Sequence, residues 1–278
     1  MSDKVVAIMF SGGTDSTYAA WSQIPLYDRI HLVTFVRRGF RKCENVEEGV
    51  QRLRRAFPDK EILHSLENFE EIYQMVAPHE EKIEVQEAVL RQEIGPLWED
   101  PHGARSGRAR YEENLLKLFM ANECLQCKIA MELAAIKFCY KSGIRTICDG
   151  SNTEQLDDGS QLEDVKTMAR DIFAECGIRY LSPAFNISAT ERSRALFDAG
   201  ITDHPDHKRL EKTHQIPSRQ IQCTVPSAVL WTSCIFPWLV YDGRSCEDYV
   251  VMCCNYFHVE MRKGLESIFR NPESKFPH

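Results

Sequence analysis

The sequence predicts an α/β protein with a doubly wound, Rossmann-like parallel sheet and a helical C-terminal extension. Three observations favour this fold class. Continuous apolar runs, the pattern of strands buried on both faces, alternate with stretches of helical periodicity over residues 1–203. Glycine turns follow two of these runs, as they do where a strand passes into a helix. From residue 204 the pattern changes, so we predict a separate extension over residues 204–278.

The predicted elements alternate in the order that a parallel sheet requires. Val5–Phe10 is the first apolar run, and a helix is predicted from about Tyr18. Ile30–Val36 is the second predicted strand. The remaining elements are a helix from Asn45 to about Phe57, a short strand at 61–64, helices at 68–76 and 82–93, an irregular segment at 94–111, helices at 111–121 and 124–140, a strand at 146–150, a helix at 161–176, a strand at 179–181, and helices at 188–200 and 245–269.

A tight turn of sequence Ser-Gly-Gly-Thr-Asp-Ser joins the first strand to the first helix. Two glycines leave room for a ligand, and the amides and dipole at a helix N-terminus favour an anion there. Asp15 fits beside a phosphate if it caps the helix or helps to hold a bridging metal ion. The alternative is a glycine turn with a serine cap and no ligand. The predicted phosphate site consists of Ser11, Gly12, Gly13, Thr14, Asp15 and Ser16.

The turn is neither a Walker P-loop nor a Gly-x-Gly-x-x-Gly fingerprint. It resembles the Ser-Gly-Gly-x-Asp-Ser signature of the PP-loop ATP pyrophosphatases, a superfamily of adenine nucleotide α-hydrolase-like proteins. The resemblance implies that ATP binds with its phosphates on residues 11–16 and is split between the α- and β-phosphates. It also implies that backbone groups at Thr34 and Phe35 meet the adenine, and that Mg²⁺ is held partly by Asp15.

Composition is typical of a globular protein without a membrane segment. Of 278 residues, 43% are hydrophobic and 27% charged, and no apolar stretch has the length of a membrane span. The chain enters a strand without a signal peptide, so we expect a cytoplasmic location. A net charge of -7 argues against binding of nucleic acid over a broad electrostatic surface. The clustered arginines would form either a local basic groove or a solvated loop. These are Arg37, Arg38, Arg41, Arg105, Arg108 and Arg110.

Eleven cysteines are many for a protein that is not exported, and they favour metal, cluster or redox chemistry over disulfides. The Cys124-x-x-Cys127 spacing binds metals or is redox-active, and two half-buried thiols are the alternative. Cys223 lies much later in the chain. Three thiolates hold a [4Fe–4S] cluster with one iron left open, whereas structural zinc takes four ligands. We therefore predict that Cys124, Cys127 and Cys223 bind metal and act in catalysis.

The other cysteines carry weaker signals. Cys253 lies on the apolar side of the last helix, so we predict a core residue there, and its neighbour Cys254 faces elsewhere. Cys234 and Cys246 would form a second metal site only with a histidine. His258 is predicted to be a structural histidine among apolar residues. Small apolar or incidental thiols are predicted at Cys43, Cys139, Cys148 and Cys176.

Further motifs resemble sulfur-transfer members of the PP-loop superfamily. The run from Asn122 to Lys128 is similar to an Asn-x-Cys-x-x-Cys-Lys run in the sulfur-insertion enzymes of nickel-pincer cofactor synthesis. Cluster-dependent tRNA thiolases likewise combine a Cys-x-x-Cys pair with a later cysteine. Residues 149–152, together with Asp157 and Asp158, are similar to a Gly-Thr-Asn-x-Asp-Asp run of the sulfur-insertion enzymes. This similarity implies nucleotide contacts at Gly150 and Asn152, and Asp157 or Asp158 as a second ligand for the Mg²⁺.

The resemblance implies an ATP-dependent sulfurtransferase that forms AMP and pyrophosphate. Such an enzyme adenylates a substrate oxygen and replaces it with sulfur, using ATP, Mg²⁺ and a [4Fe–4S] cluster. Residues 1–203 would be the ATP-binding domain, and the extension would carry the third cysteine. The expected partners are a small-molecule substrate or tRNA, a sulfur-donor protein and a second copy in a homodimer, with no membrane. The alternatives are an amide- or nitrile-forming ligase with Zn²⁺ at the cysteines, and a non-catalytic nucleotide-binding regulator.

Overall fold

A computed structural model describes residues 4–37, 46–78, 80, 123–154, 159–205 and 245–270. These residues belong to two compact units, each assembled from separate parts of the chain. The first draws on Met1–Phe69, Ala134–Leu156 and Ala169–Arg219. The second draws on Glu70–Leu133, Asp157–Met168 and Gln220–His278. The predicted boundary after residue 203 stays a prediction.

The first unit contains a parallel sheet that has five strands among the described residues. The strands are β1 (Val5–Met9), β2 (Arg29–Val36), β3 (Glu61–Asn68), β4 (Thr146–Cys148) and β5 (Arg179–Leu181). Their order in the sheet is β3-β2-β1-β4-β5, and every adjacent pair is parallel. The predicted α/β fold class with a doubly wound parallel sheet is therefore confirmed.

The described helices match the predicted periodicity closely. They are α1 (Thr14–Gln23), α2 (Val46–Ala56), α3 (Glu70–Val76), α4 (Glu123–Ser142), α5 (Glu163–Glu175), α6 (Ala189–Asp198) and α7 (Cys246–Phe269), with short 3₁₀ turns at Ile24–Leu26 and Gly159–Gln161. Capping boxes begin two of them, with Ser188 and Glu191 at α6 and Ser245 and Asp248 at α7. The long α7 confirms the predicted helical C-terminal element.

The core of the first unit explains why the central strands are continuous apolar runs. Val6, Ile8, Ile30 and Leu32 are fully buried and pack with residues of α2 such as Val50. Strand β1 has strands on both sides and helices over its faces, so alternation with polar residues would bury polar groups. By contrast, β3 lies at the end of the strand order, and only Ile62 of its residues is buried, while the others are half-buried or exposed.

Two predicted boundaries are wrong in an informative way. Helix α1 begins at Thr14 and not near Tyr18, because the residues after the glycine pair already form its first turn. Strand β3 extends from Glu61 to Asn68, twice the predicted length, since every residue over this length pairs with a residue of β2. The predicted cap at Asn45, the elements predicted between 82 and 121, and the apolar stretch at 228–241 lie outside the described residues.

No helix among the described residues is long and apolar enough to cross a membrane.

Two half-buried histidines lie on opposite faces of the β2–β3 pair. His31 Nε2 lies 3.1 Å from Ser65 Oγ. His64 Nε2 lies 3.0 Å from Thr34 Oγ1, and its Nδ1 lies 3.5 Å from Glu47 Oε2. Burial lowers the pKa of both histidines below the ordinary value of 6.5, although nearby glutamates oppose the shift.

These shifts predict that the protein loses stability as the pH falls below about 6.5. A histidine whose folded pKa is lowered binds fewer protons in the folded chain than in the unfolded chain, so acid favours unfolding. We expect the melting temperature of wild type to fall between pH 7.5 and pH 5.5, and His64→Gln, which keeps a donor toward Thr34 but does not titrate, to fall less. The matched control is His258→Asn at an exposed histidine. Equal falls in wild type and His64→Gln would contradict the prediction.

Candidate functional site

The site lies where the direction of the strand connections reverses. The chain passes from β1 to β2 on one side of the sheet and from β4 to β5 on the other, and β1 and β4 are neighbours. The turn at residues 11–13 follows the carboxyl end of β1, and residues 149–152 follow the carboxyl end of β4. Such a switch point opens a crevice that binds ligands in doubly wound sheets. Both predicted nucleotide segments of the first unit therefore meet at one place.

The backbone of the turn requires glycine at its second position. Gly12 has a φ of 77°, in the left-handed region that favours glycine. A Cβ there would lie 3.2 Å from Cα of Val46 at the start of α2, so α2 also closes over the turn. Gly13 then caps α1 in an extended conformation, with no side-chain cap bond. The first amides of α1, which have no acceptor within the helix, begin directly after these two glycines.

Ser16 braces the turn from inside. Its Oγ donates to the carbonyl of Gly13 at 3.1 Å and accepts from the amide of Ser11 at 3.2 Å. Since the Ser16 proton is used on that carbonyl, the Ser11 hydroxyl donates to Ser16 Oγ across 3.1 Å. Ser16 and Thr14 are buried, whereas Ser11 is exposed. The predicted phosphate contact by the hydroxyl groups stays a prediction, and Ser11 is the hydroxyl that faces solvent.

Gly150 makes the closest approach between the two segments. A Cβ on Gly150 would lie 2.6 Å from the backbone N of Ser16 and 2.8 Å from the backbone carbonyl carbon of Asp15. Those atoms belong to the first turn of α1 and have no flexible side chain that could move aside. The position after β4 therefore requires glycine, because the first turn of α1 occupies the space that a side chain would need.

The carboxylate of Asp15 is held on both sides. Asn152 Nδ2 donates to Asp15 Oδ2 at 3.0 Å, and Arg192 Nε lies 2.7 Å from Asp15 Oδ1. The Nε–H of Arg192 does not point toward Asp15 Oδ1, so this contact is an ion pair and not a hydrogen bond. About a third of the Asp15 side chain, 31%, is exposed. Asn152 thus lies at the turn, as the sequence motif implies, and a metal-binding role of Asp15 stays a prediction.

Two residues of this site were not predicted, Arg192 and Glu154. Arg192 lies on α6 with only 2% of its side chain exposed, and Glu154 Oε2 accepts from its Nη2 at 3.0 Å. A signal was present in the sequence. Position 192 precedes Leu196 by one helical turn, so a charged side chain stands on the buried face of a helix, where it requires a partner.

A buried hydroxyl–carboxylate network anchors the second segment. Asp149 is buried at the end of β4, and its Oδ2 accepts from the Ser151 hydroxyl and from the Tyr180 hydroxyl, the latter at 2.7 Å. Tyr180 lies on β5 and stacks on Phe173, with ring centroids 4.4 Å apart. The segment that presses Gly150 against α1 is therefore fixed to the sheet at its start.

The structure places the two residues of the predicted adenine contact, Thr34 and Phe35, differently. Thr34 is buried, and its hydroxyl donates to the carbonyl of Phe10 at 2.7 Å and accepts from His64, so its side chain braces the residue before the turn. Phe10 N donates to Val33 O, which shows that Val33 directs its backbone toward β1. Residues two apart share that direction, so the N–H and C=O of Phe35 point to the side where β1 has ended. The adenine contact of Phe35 itself stays a prediction.

The cysteine pair lies in the second unit. Cys124 is half-buried and Cys127 buried, and their spacing of three residues in the first turns of α4 places them on one face of the helix. Cys223, Asp157 and Asp158 lie outside the described residues. Within the described ranges no group of three or more His, Cys, Asp and Glu side chains is arranged to hold a metal ion. The predicted three-cysteine centre is untested.

The other cysteines can be placed as buried or exposed wherever the structure describes them. Cys253 is fully buried beside Gly159, which confirms the prediction of a core residue. Cys139, Cys148 and Cys176 are buried, as predicted for small apolar residues, and burial raises the pKa of Cys139 to about 12. Cys246 is exposed, and Cys43 and Cys234 lie outside the described residues. His258 is exposed, so the predicted structural histidine is wrong at that position.

Charged side chains are buried just after the cysteine pair. Lys128 Nζ lies 3.7 Å and Lys166 Nζ 3.3 Å from the same oxygen of Glu132. Lys166 and Glu132 are almost completely buried. Removing one partner of a buried ion pair typically costs about 3–5 kcal/mol because the other charge is left buried and unpaired, so we expect replacement of Glu132 or Lys166 to destabilise the packing of α4 against α5.

Comparisons with known proteins add one finding. No protein-family model matches the chain, and no curated protein matches it. Among solved structures, the chain is similar to a 4-thiouridine synthetase in complex with RNA and bound ATP, with 16% identity and a TM-score of 0.42. The match covers 83% of this chain and 54% of the other, so this chain spans about half the length of that protein. A likeness of this size assigns no function.

Proposed function

We propose that the chain binds ATP at the turn after β1, splits it between the α- and β-phosphates, and transfers sulfur to the activated substrate. The observation that carries the proposal is the contact between Gly150 and the first turn of α1 at the switch point of the sheet. The two chain segments approach each other backbone to backbone there, since Gly150 has no side chain, and they do so beside a helix N-terminus. That is the arrangement expected of a phosphate site.

The residues around the turn fit a triphosphate. The first-turn amides and the dipole of α1 favour negative charge, and the exposed Ser11 hydroxyl would become a further donor by turning its proton from Ser16 Oγ to a phosphate oxygen. The N–H and C=O of Phe35, on the side where β1 has ended, would pair with the adenine edge. These groups would stabilise the charge that develops on the leaving pyrophosphate.

Asp15 would help to hold Mg²⁺ beside the phosphates. The carboxylate reaches solvent and is already oriented by Asn152 and Arg192. A hard cation with oxygen ligands suits this residue, and Asp157 or Asp158 would be a second protein ligand. The ion would supply charge neutralisation at the phosphates.

The cysteines supply the sulfur-transfer half of the proposal. Cys124 and Cys127 share a face of α4 and would hold a [4Fe–4S] cluster together with Cys223. The cluster would supply bound sulfide to the acceptor. In the overall reaction, a substrate oxygen attacks the α-phosphate and releases pyrophosphate, and sulfur then replaces that oxygen and releases AMP.

The acceptor class within this proposal is a small molecule or a tRNA base. Arg37 at the end of β2 and the other arginines of the sequence pattern favour RNA, and the acidic overall charge favours a small acceptor. A sulfur-donor protein and a homodimer remain predictions.

Product analysis tests the proposed reaction. Protein purified without oxygen is incubated with Mg-ATP, sulfide and either bulk tRNA or a panel of small carboxylates. We expect AMP and pyrophosphate in equal amounts, formed faster with the true acceptor. ADP as the only nucleotide product would remove the adenylation step from the account, and zinc without iron in the protein would favour the ligase chemistry.

A further inference from the structure

We propose that Arg192 is the residue that positions the phosphate-binding turn, and that Glu154 orients Arg192 for this role. The inference deepens the proposed function and rests on it only for the identity of the ligand. The contacts that carry it lie within the first unit.

Arg192 reaches three parts of the chain from one buried position. Its Nε pairs with Asp15 in the first turn of α1, and its Nη2 donates to Glu154 after β4. Its Nη1 donates to the carbonyl of Ile187 at the base of its own helix, and lies 3.4 Å from the carbonyl of Ala184. A rigid planar guanidinium that bridges two acidic side chains fixes their distance and orientation, which a lysine ammonium does not.

Glu154 is tied to the same helix at a second point. Its Oε1 accepts from the amide of Ala189 at the N-terminus of α6 at 2.9 Å, while its Oε2 accepts from Arg192. The carboxylate therefore links the segment that contains Gly150 to α6. Together, Glu154 and Arg192 connect the end of β4, α6 and the start of α1 around the turn.

The charges around the turn make this link important for an anion. Arg192 faces two carboxylates, those of Asp15 and Glu154, at the edge of a predicted phosphate site. Without the guanidinium, two negative charges would remain beside the bound phosphates and would repel them. Loss of Arg192 should therefore loosen the turn and weaken anion binding at the same time.

Hydrogen exchange of the protein without ligand tests the positioning. In Arg192→Met, we expect the amides of residues 11–17 to exchange at least about tenfold faster, with amides of β2 unchanged, because only the local opening becomes easier. The matched control is Arg194→Met on the same helix, an exposed arginine that pairs with Asp198. It should leave both sets of amides unchanged.

If Arg192→Met unfolds, so that β2 also exchanges faster, Glu154→Gln decides the matter. This milder variant removes one side of the guanidinium contact and should still speed exchange of residues 11–17. Unchanged exchange of these amides in both folded variants would overturn the inference.

ATP titration separates positioning from simple structural support. Arg192→Met should bind ATP about tenfold or more weakly, with a larger loss at low salt, since exposed like charges repel more strongly there. Arg192→Lys keeps the charge and should recover part of the affinity. If wild type binds no ATP but the exchange effect is present, the proposed function fails and the positioning role stands. Equal affinity of wild type and Arg192→Met for ATP would overturn the role in anion binding.

Discussion

Replacing Gly150 by alanine is expected to abolish measurable ATP binding. The new Cβ would lie 2.6 Å from the Ser16 amide nitrogen and 2.9 Å from Ser16 Cα, so either α1 or the segment after β4 must shift. Both are held by their neighbours, α1 by the bonds of Ser16 and the segment by Asp149. A displacement of about 1 Å can cost about 100-fold in the rate of a catalysed reaction, and we expect a loss of similar size in the affinity for ATP. Overpacking typically costs about 1–3 kcal/mol of stability.

Calorimetric titration with ATP and thermal melting measure these two effects. Gly143→Asn is the matched control, because Gly143 also lies in a turn, with a φ of 70°, and a Cβ at this position would meet no atom within 4 Å. Asparagine tolerates that conformation. The control should bind ATP as wild type does. Wild-type affinity in a folded Gly150→Ala protein would show that the nucleotide, if any, binds elsewhere.

Replacing Cys124 or Cys127 by serine is expected to stop sulfur transfer while ATP binding persists. Neither substitution changes a residue of the turn, so we expect the nucleotide contacts to persist. A hydroxyl is a poor ligand for soft metals, and we expect iron and sulfide contents to fall and product formation to drop about 100-fold or more.

Iron, zinc and sulfide analysis of protein purified without oxygen measures the first effect, and thiolated product the second. Cys254→Ser is the matched control, since Cys254 is a half-buried thiol of α7, as Cys124 is of α4. It should retain the wild-type metal content and activity. If both Cys124→Ser and Cys127→Ser keep the wild-type metal content and form thiolated product at the wild-type rate, the cysteine pair has no part in the reaction.

Local patterns predicted the parts of the fold that depend on neighbours in sequence. The apolar run at Val5–Met9 and the two glycines after it define a strand, a turn and a helix without reference to the rest of the chain. The sequence did not predict the second half of β3, because that part depends on contacts with another strand. Its half-exposed residues carry a weak apolar signal, and pairing with β2 determines its length.

The supports of the site depend on contacts between distant residues. The contact of Arg192 with Asp15 joins residues far apart in the sequence, and no spacing rule connects them. The opposite directions of the Thr34 and Phe35 backbone groups follow from the strand register. Sequence reasoning found the turn and the segment at Gly150, and the fold explains why they meet.

The central claim is that the phosphates of ATP lie against the turn after β1. Amide hydrogen exchange with and without saturating Mg-ATP tests it most directly. The account predicts slower exchange confined mainly to residues 11–17 and 150–152, with a smaller effect at the end of β2. Protection only in other parts of the chain, or none at a concentration that saturates a measured binding curve, would contradict it.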